Sequence, residues 1–431
     1  MNSISSSDQP DPGPLDDPAL SPPPVSRGVG FYDTKLGLIG PLCLIGALSW
    51  AIPAAATGTL LQALFARLDE VNKISLTAIT ATVSSLGGAV AVVVAGLLSD
   101  RTRSRFGRRK PWLLGGAVFA AVSLALVGLT TSFPVIVICC TLSQMGLNAM
   151  VAALSALLPD RVGRSLLGRA SALSGLGNLL GNATGGIVAA SFLTVPPLGL
   201  AVVPWIMVLA ALIICWRLPS HSSLDQPAET GSLVQLLKSL LPPGDRDFWL
   251  VFVGRVCFLL GLLTALAYQL YILTDYFGAS NEQAAGLIAA SGVILAVGAG
   301  AFTVLAGPLS DRLGRRKPFV VASGLVGAGA VGLLLAVRDI AIFPVAIGCL
   351  SIAYGTFISV DQAIMVEVLP SQRHAARDLG FLTVANTAPG ILAPGLAGAL
   401  VGLGGYPAVF VGGIVLTGLS GVFLLSVKRV R

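Results

Sequence analysis

The chain has 431 residues, of which 55% are hydrophobic and 11% are charged, and its mean hydropathy is +0.86. Soluble domains carry about 25% charged residues, so this composition excludes a soluble enzyme, a disordered chain and a nucleic-acid-binding protein. The formal net charge of +7 follows from basic residues that face a cytoplasmic membrane leaflet and requires no nucleic-acid partner. We therefore expect an integral membrane protein in contact with lipids.

Cysteine and histidine usage indicates neither a disulfide framework nor a metal site. The six cysteines all lie in long apolar runs, where a thiol behaves as a small hydrophobic group. The two histidines, His221 and His374, lie in polar segments, and two are too few for a histidine metal cluster. We expect no metal and no cofactor, so any proton chemistry within the apolar runs falls to carboxylates.

Twelve membrane-spanning helices are predicted after a Pro-, Ser- and Asp-rich start, which indicates a disordered tail over residues 1–30. A helix needs about 20 apolar residues to cross the hydrocarbon core. Three uncharged runs are long enough for two crossings, and each has a Pro or Gly turn signal near its middle. The double runs are 111–159, 170–216 and 379–427, and the single runs are 36–66, 74–99, 256–274, 283–310, 318–337 and 340–360.

The distribution of basic residues predicts the orientation in the membrane. Of the 27 Lys and Arg residues, only Arg67, Lys73 and Arg338 fall in the odd-numbered connections, and basic residues favour the cytoplasmic side. We expect both termini in the cytoplasm and a location in a prokaryotic inner or plasma membrane. The predicted units are two six-helix bundles, 31–217 and 247–431, joined by a cytoplasmic linker, 218–246.

The two halves of the chain repeat each other. The segment Ser99-Asp-Arg-Thr-Arg-Ser-Arg-Phe-Gly-Arg-Arg-Lys-Pro-Trp112 returns as Ser310-Asp-Arg-Leu-Gly-Arg-Arg-Lys-Pro-Phe319. The Leu-Pro step that ends span 4 at Pro159 returns at Pro370, 211 residues later, which is also the spacing between Asp100 and Asp311. Repeated six-helix halves are typical of transporters whose two bundles rock about a central site.

From residue 30 onward the sequence resembles the major facilitator superfamily. Gly96-x-x-x-Asp100-Arg101 with Gly107-Arg108-Arg109 is similar to its signature loop between spans 2 and 3. The longer first copy of the loop, Val360-Asp361-Gln362-Ala363 and Arg377-Asp378-Leu379-Gly380 resemble the glycoside/cation and sucrose/proton symporters. The resemblance implies an all-α fold of twelve transmembrane helices in two six-helix pseudo-repeats. The second copy of the loop contains Gly307, Asp311, Arg312, Gly314, Arg315 and Arg316.

These loops predict a conformational latch on the cytoplasmic side. Gly96 lacks a side chain where helices would approach closely, and Asp100 at the end of span 2 can accept free N–H groups of a neighbouring helix N-terminus. The alternative is that the arginines follow the positive-inside bias and contact lipid headgroups. The ion pairs expected for a latch are Arg108 and Arg109 with Asp160, and Arg315 and Arg316 with Glu367.

Asp361 and Arg255 are the candidate proton-coupling residues. Asp361 precedes the Pro370 turn by nine residues and Arg255 follows Asp247 by eight, which places both roughly 12–13 Å into the membrane at 1.5 Å per residue. An ionisable group within a span is costly and indicates function by default. The alternatives are a static ion pair, or an Arg255 that extends to the cytoplasm and leaves Asp361 bonded to a hydroxyl.

Polar residues on spans 4, 7, 10 and 11 are candidates for binding a polyhydroxylated substrate. Tyr268, Tyr271 and Asp275 share one helical face with Gln269 beside them, although Tyr271 and Asp275 also suit an extracellular rim. Ideal helix geometry turns Arg255 about 160–220° away from this face, so either span 7 is kinked or the groups serve different surfaces. The remaining candidates are Gln144, Asn148, Tyr354 and Asn386, the first two of which also suit helix-to-helix hydrogen bonding.

The sequence as a whole predicts a secondary active transporter rather than an enzyme. The letters of a dinucleotide fingerprint at Gly327–Gly332 lie inside span 9 with no preceding strand, and no Walker motif is present. Ion gradients remain as the energy source. We expect a monomer that imports a neutral sugar, a glycoside or a disaccharide, together with a proton. The alternative is a proton-driven exporter of amphipathic compounds, which the 6% aromatic content leaves open.

Overall fold

The computed structural model describes residues 36–161, 166–218, 245–367 and 375–427, in which all regular secondary structure is helical. Ten helices in this part are long and apolar enough to cross a membrane. One of them, Val384–Leu425, contains two crossings, because the backbone breaks at Gly404 and Gly405. With the Gly- and Ala-rich helix Leu167–Phe192, the predicted all-α membrane fold of twelve spans is confirmed.

Most spans are single helices. Spans 6 and 7 are each broken into pieces, and spans 11 and 12 lie before and after Gly404–Gly405 in the helical segment Ala375–Leu425. Spans 1 to 5 are Leu36–Leu68, Lys73–Arg101, Lys110–Val127, Phe133–Arg161 and Leu167–Phe192. Span 6 consists of Pro196–Val202 and Trp205–Arg217, and span 7 of Arg246–Leu266, Gln269–Tyr271 and the π-helical turn Ile272–Tyr276. Spans 8 to 10 are Asn281–Leu313, Lys317–Ala336 and Ile342–Glu367.

Small residues set the close packing inside each half. Span 1 packs on span 5, span 4 on spans 2 and 3, span 8 on span 10, and span 7 on spans 11 and 12. A β-carbon built at Gly181 would lie 2.6 Å from the β-carbon of Ala51, and one at Gly185 would lie 2.7 Å from that of Ala55. Glycine spacing of this kind lets helix backbones approach in a membrane, as the Gly181-x-x-x-Gly185 pattern predicts.

The two halves meet through spans 5 and 8 and through spans 2 and 11. We call the end with the odd-numbered connections the distal end, and the opposite end, with the basic loops, the proximal end. At the described residues, the contacts between the halves lie in the distal half or at the middle of the spans, as at Gly292 with Ala183 and at Gly398 with Ala78. The molecule is therefore closed at its distal end. The predicted tail and most of the linker lie outside the described residues.

Candidate functional site

A buried charge cluster joins spans 7, 10 and 11 of the C-terminal half. The guanidinium of Arg255 donates Nη1–H to Oδ2 of Asp361, and its Nε donates to Oδ1 of Asn386 at 2.7 Å. Arg255 is 1% exposed and Asp361 is fully buried, whereas Asn386 is exposed. The structure thus places the predicted pair in contact and adds Asn386, which connects the buried pair to an exposed surface.

The described side chains around the Arg255–Asp361 pair include a thioether sulfur and two aromatic rings. Nη1 of Arg255 also lies 3.0 Å from the sulfur of Met365, one helical turn after Asp361. The rings of Phe258 and Phe357 stack at 3.8 Å on the distal side of the pair. Oδ1 of Asp361 is buried and accepts no hydrogen bond from any described residue. One carboxylate oxygen is therefore held by arginine, while the other has no hydrogen-bond donor among the residues that the structure describes.

Span 7 breaks after Leu266, and the break moves its tyrosines away from Arg255. Tyr268 lies outside helical geometry, with φ −118° and ψ 47°. Its hydroxyl donates to the carbonyl oxygen of Pro394 at 2.7 Å, which anchors the broken segment to span 11. Helix geometry had left two alternatives, a kink in span 7 or different surfaces for the tyrosines and Arg255. The kink is present, and the tyrosines and Arg255 also lie on different surfaces.

The segment after the break forms a polar contact with the N-terminal half at the distal end. The amide of Gln62 on span 1 donates to the carbonyl oxygen of Ala267 at 3.0 Å and accepts from the backbone N–H of Leu270 at 3.1 Å. The hydroxyl of Tyr271 donates to the carbonyl oxygen of Gln62 at 2.8 Å and lies 3.0 Å from the hydroxyl of Thr77. The break in span 7 thus exposes backbone groups that span 1 satisfies.

An ion pair completes this distal contact. Nζ of Lys73 on span 2 lies 2.9 Å from both carboxylate oxygens of Asp275. Asp275 also accepts from the hydroxyls of Tyr406 at 2.8 Å and Thr274 at 2.9 Å. We call Gln62, Lys73, Thr77, Tyr271 and Asp275 the distal gate, because they join the two halves where the molecule is closed.

Three of the four sugar-binding candidates on span 7 therefore take part in structural contacts in this conformation. Tyr271 and Asp275 bind the opposite half, and Tyr268 binds span 11, while Gln269 is half-buried beside them. The sequence reasoning did not include Gln62, Lys73 or Thr77. The signal for Lys73 was present, since it is one of only three basic residues in the odd-numbered connections.

A separate polar cavity of about 210 Å³ lies inside the N-terminal half, between spans 1, 2 and 4. Thr57, Ser85 and Gln144 line it, and within the described chain their side chains make no hydrogen bond. Asn148 donates back to the carbonyl oxygen of Gln144 at 2.9 Å, and a β-carbon built at Gly88 would lie 2.6 Å from its amide nitrogen. Gln144 therefore faces a cavity, while Asn148 packs against span 2.

Tyr354 lies on the face of span 10 that also carries Asp361, two turns away, and is half-buried. Tyr354 therefore lies between the charge cluster and the distal end of span 10. Most of the site candidates thus belong to the charge cluster, the distal gate or the polar cavity, while Asn148, Tyr268, Gln269 and Tyr354 lie outside these three groups.

The basic loops differ in part from the predicted latch. Gly107 (φ 90°) and Gly314 (φ 59°) adopt the left-handed backbone conformation that glycine permits. A β-carbon built at Gly96 meets nothing within 4 Å, whereas one at Gly307 would lie 2.7 Å from Oγ of Ser359. The close approach expected at Gly96 is therefore absent in this conformation, because the contacts between the halves lie toward the distal end.

The latch ion pairs remain predictions, because the side chains of Asp100, Asp160 and Glu367 lie outside the described part of the structure. Asp311 accepts from Arg316 of its own loop at 2.9 Å, and Arg109 donates to Oγ of Ser99 at 3.1 Å. Other latch residues have side chains at the proximal surface. These are Arg101, Arg108, Arg312 and Arg315.

Two lysines that the sequence reasoning passed over join each basic loop to the last span of its half. Nζ of Lys110 donates to the carbonyl oxygens of Cys215 at 2.8 Å and Leu218 at 2.6 Å. Nζ of Lys317 donates to the carbonyl oxygen of Val427. The last carbonyls of a helix lack intrahelical partners and attract cations, so each lysine caps the C-terminus of span 6 or span 12.

Comparisons with known proteins agree with this architecture. The family model described as MFS/sugar transport protein matches residues 68–406. The 3-(3-hydroxy-phenyl)propionate transporter of Escherichia coli (strain K12) is 28% identical over 360 residues, which cover 80% of this chain and 83% of that protein.

Among solved structures, a bacterial homologue of the human lysosomal transporter Spinster, inward-facing and occupied, has a TM-score of 0.71 at 15% identity and covers 92% of this chain and 98% of its own. A point mutant of the nucleoside transporter NupG has a TM-score of 0.67 at 14% identity and covers 90% and 98%. Both similarities concern the fold. The family match over most of the sequence establishes that the chain belongs to the MFS/sugar transport protein family and is a multi-pass membrane transporter.

Proposed function

We propose that this protein is a proton-coupled secondary transporter that works by alternating access, with Asp361 as the proton acceptor. The observation that carries the proposal is Oδ1 of Asp361, which is buried and accepts no hydrogen bond from the described residues. A buried ion pair is stable when its remaining lone pairs are also satisfied. A buried, unsatisfied carboxylate oxygen is therefore a favourable place for a proton.

Protonation of Asp361 changes the state of its partner. A neutral Asp361 leaves the guanidinium cation of Arg255 with Asn386 as its described hydrogen-bond partner among oxygen and nitrogen groups. An unpaired buried charge costs several kcal/mol, and that cost favours a conformation or a bound substrate that compensates Arg255. Proton binding and the transport cycle are coupled through this charge, which a static ion pair would not do.

Replacing Asp361 with asparagine tests the coupling. In proteoliposomes with an inward proton gradient, we expect Asp361→Asn to lose accumulation of substrate above the external concentration, while counterflow exchange continues. The wild-type protein should do both. Accumulation by Asp361→Asn at the wild-type level would contradict the proposal.

A second variant covers the possibility that an unpaired Arg255 prevents folding. In Arg255→Gln/Asp361→Asn both partners are neutral and similar in size to the native side chains, so no buried charge is left alone. We expect this double variant to exchange substrate and not to accumulate it. Asp339→Asn, in the distal connection between spans 9 and 10, removes one carboxylate elsewhere and is the matched control.

A neutral sugar, a glycoside or a disaccharide, is the substrate that we propose first. The polar cavity supports it, because the Thr57 and Ser85 hydroxyls and the Gln144 amide are neutral groups that suit a polyhydroxylated ligand. Asn386, at the exposed side of the charge cluster, offers an amide in the C-terminal half. The termini are proposed to be cytoplasmic, so that proximal opening faces the cytoplasm, and the protein is proposed to act as a monomer.

An organic carboxylate is the second candidate, and Arg255 is the observation that favours it. When a proton neutralises Asp361, a substrate carboxylate would replace the lost negative charge beside the guanidinium, with the bidentate geometry that arginine prefers. The Escherichia coli relative is named for an aromatic carboxylate. One proton and one monocarboxylate would then move together without net charge.

Counterflow in proteoliposomes separates the two substrates. A panel of radiolabelled sugars and of aryl carboxylates, including 3-(3-hydroxyphenyl)propionate, is compared with and without an imposed membrane potential. Uptake of a neutral sugar with a proton carries charge and responds to the potential, at about 2.3 kcal/mol per charge per 100 mV. Proton-monocarboxylate uptake does not. Efflux of amphipathic compounds alone would favour the exporter instead.

A further inference from the structure

An apolar groove of about 590 Å³ opens on the outer surface of the N-terminal half, between spans 2, 3 and 4. Val90, Val94 and Phe119 line it and are 60%, 46% and 47% exposed. In a transporter this surface faces the hydrocarbon of the bilayer. An apolar groove of this volume on such a surface suits an acyl chain.

The groove exists because side chains are missing from its floor. Gly115 has no heavy atom within 4 Å of a β-carbon built on it, so the space above it is open. Spans 3 and 4 cross closely at Gly116 and Gly146, where a β-carbon at Gly116 would lie 2.7 Å from the carbonyl oxygen of Gly146. The depression is a fixed feature of helix packing rather than a side-chain rotamer.

The proximal end of the groove meets the longer basic loop. Thr102 and Trp112 line the groove there, joined by a hydrogen bond from Nε1 of Trp112 to Oγ1 of Thr102 at 2.8 Å. Tryptophan at this position is typical of the headgroup level of a bilayer. Arg103 and Arg105, in the loop between spans 2 and 3, are exposed. Apolar groove and guanidinium groups thus form one continuous surface.

The internal repeat shows that this surface is particular to the first half. The second basic loop is four residues shorter, so Pro111 corresponds to Pro318 with an offset of 207 residues, and on the same offset Gly116 corresponds to Ser323. The 211-residue offset between Pro159 and Pro370 matches Gly146 to Phe357. Phe357 is buried and stacked on Phe258. The shorter second loop has no counterpart of Arg103 and Arg105. The fold therefore does not require the groove or the additional charges.

We propose that this groove is a binding site for an anionic phospholipid. One acyl chain would lie along the glycine floor between spans 2, 3 and 4, and the phosphate would bind Arg103 and Arg105 of the basic loop. Arginine binds phosphate through two parallel N–H groups, and basic residues near the cytoplasmic surface favour anionic lipids. The site is separate from the charge cluster and does not depend on the transported substrate.

Native mass spectrometry of the full-length protein tests the site. Delipidated protein in detergent is titrated with phosphatidylglycerol or phosphatidylcholine of identical acyl chains, and bound lipids are counted. We expect tighter binding of phosphatidylglycerol, and a roughly tenfold or larger loss of its affinity in Arg103→Gln/Arg105→Gln. Gly115→Leu, which fills the groove, should remove the same binding event.

Matched controls exist for both changes. Gly329→Leu alters another exposed glycine of the membrane surface with no heavy atom within 4 Å. Arg217→Gln/Arg246→Gln removes two exposed charges at the same end of the molecule. Both should bind phosphatidylglycerol like the wild type. If Gly115→Leu does not fold, Val94→Trp covers the groove from span 2 instead. Equal binding of the two lipids, or wild-type binding by the groove variants, would overturn the proposal.

Discussion

Lys73 on span 2 forms the ion pair that joins the two halves at the distal gate. The Lys73 side chain is 11% exposed and its ammonium group lies against the carboxylate of Asp275, whose side chain is 29% exposed. The ammonium nitrogen also lies 5.1 Å from the ring centroid of Tyr271. Exposed ion pairs contribute about 0–1 kcal/mol, and partial burial places this one toward the upper end. The pair exists only while the distal end is closed, so it stabilises one conformation of the transport cycle.

We predict that Lys73→Gln shifts the protein toward a distally open state. Loss of about 1 kcal/mol corresponds to a roughly fivefold change in the ratio of the two conformations. Spin labels at Leu129→Cys and Asp339→Cys, in the distal connections of the two halves, report the change as a longer distance distribution. The native cysteines are replaced in this background.

The charge-swapped variant Lys73→Asp/Asp275→Lys provides the control for that measurement. It restores an ion pair with reversed polarity and should recover most of the short-distance population, although Tyr406 then loses its carboxylate acceptor. An unchanged distance distribution in Lys73→Gln would show that the pair contributes nothing to closure.

Individual helices were predictable to different degrees. The spans followed from hydropathy and from Pro or Gly turn signals, because crossing hydrocarbon imposes a length and excludes charge. A kink in span 7 was one of two alternatives from helix geometry, but its position after Leu266 did not follow from the sequence, because the run 256–274 is uncharged throughout and carries no Pro. What breaks it is tertiary: Gln62 on span 1 bonds the backbone groups of Ala267 and Leu270 that the helix leaves free.

The site residues were also predictable only in part. Equal depth in the membrane predicted that Arg255 and Asp361 are neighbours, because both helices run along the bilayer normal and rise per residue is fixed. Depth in the membrane alone did not distinguish a residue that faces a central substrate site from one that contacts the opposite half. Tyr271 and Asp275 were therefore assigned to a substrate as readily as to a rim, and only the contact with Thr77 and Lys73 places them in the distal gate.

Helix packing at span 5 predicts that replacing two of its glycines with alanine changes the Tm in opposite directions. Gly181→Ala places a β-carbon 2.6 Å from that of Ala51, and such overpacking costs about 1–3 kcal/mol. Gly175→Ala, on the same helix, meets nothing within 4 Å and gains helix propensity of up to about 1 kcal/mol. Thermal unfolding in detergent should therefore give a lower Tm for Gly181→Ala and an equal or higher Tm for Gly175→Ala. The same Tm change in both variants would contradict this account of span 5.

Across the whole molecule, the two halves share a lysine that caps the last span, but they carry different candidate sites. Lys110 and Lys317 cap the last span of each half in equivalent positions. The charge cluster belongs to the C-terminal half, whereas the uncharged polar cavity and the lipid-facing groove belong to the N-terminal half. In the proposed transport cycle, a substrate would meet neutral groups in the N-terminal half and the Arg255–Asp361 pair in the C-terminal half, which suits coupling of proton binding to movement of one half against the other.

Alternating access requires spans 2 and 11 to separate at the distal end, and a reversible cross-link tests this. A β-carbon built at Gly395 lies 3.1 Å from Oγ1 of Thr82, so Thr82→Cys/Gly395→Cys places two thiols within disulfide reach, for which β-carbons lie about 3.5–4.5 Å apart. In a background without the native cysteines, we expect oxidation to reduce uptake at least tenfold and reduction to restore it, because the bond holds the distal gate closed.

The single variants Thr82→Cys and Gly395→Cys separate the cross-link from the substitutions. Each should keep the same uptake before and after oxidation, since one thiol on either span has no described cysteine beside it. The double variant should also show less labelling of its cysteines by a maleimide after oxidation. If the fully cross-linked protein transports at the rate of the reduced protein, spans 2 and 11 do not separate during the cycle, and substrate must pass the membrane without opening of the distal gate.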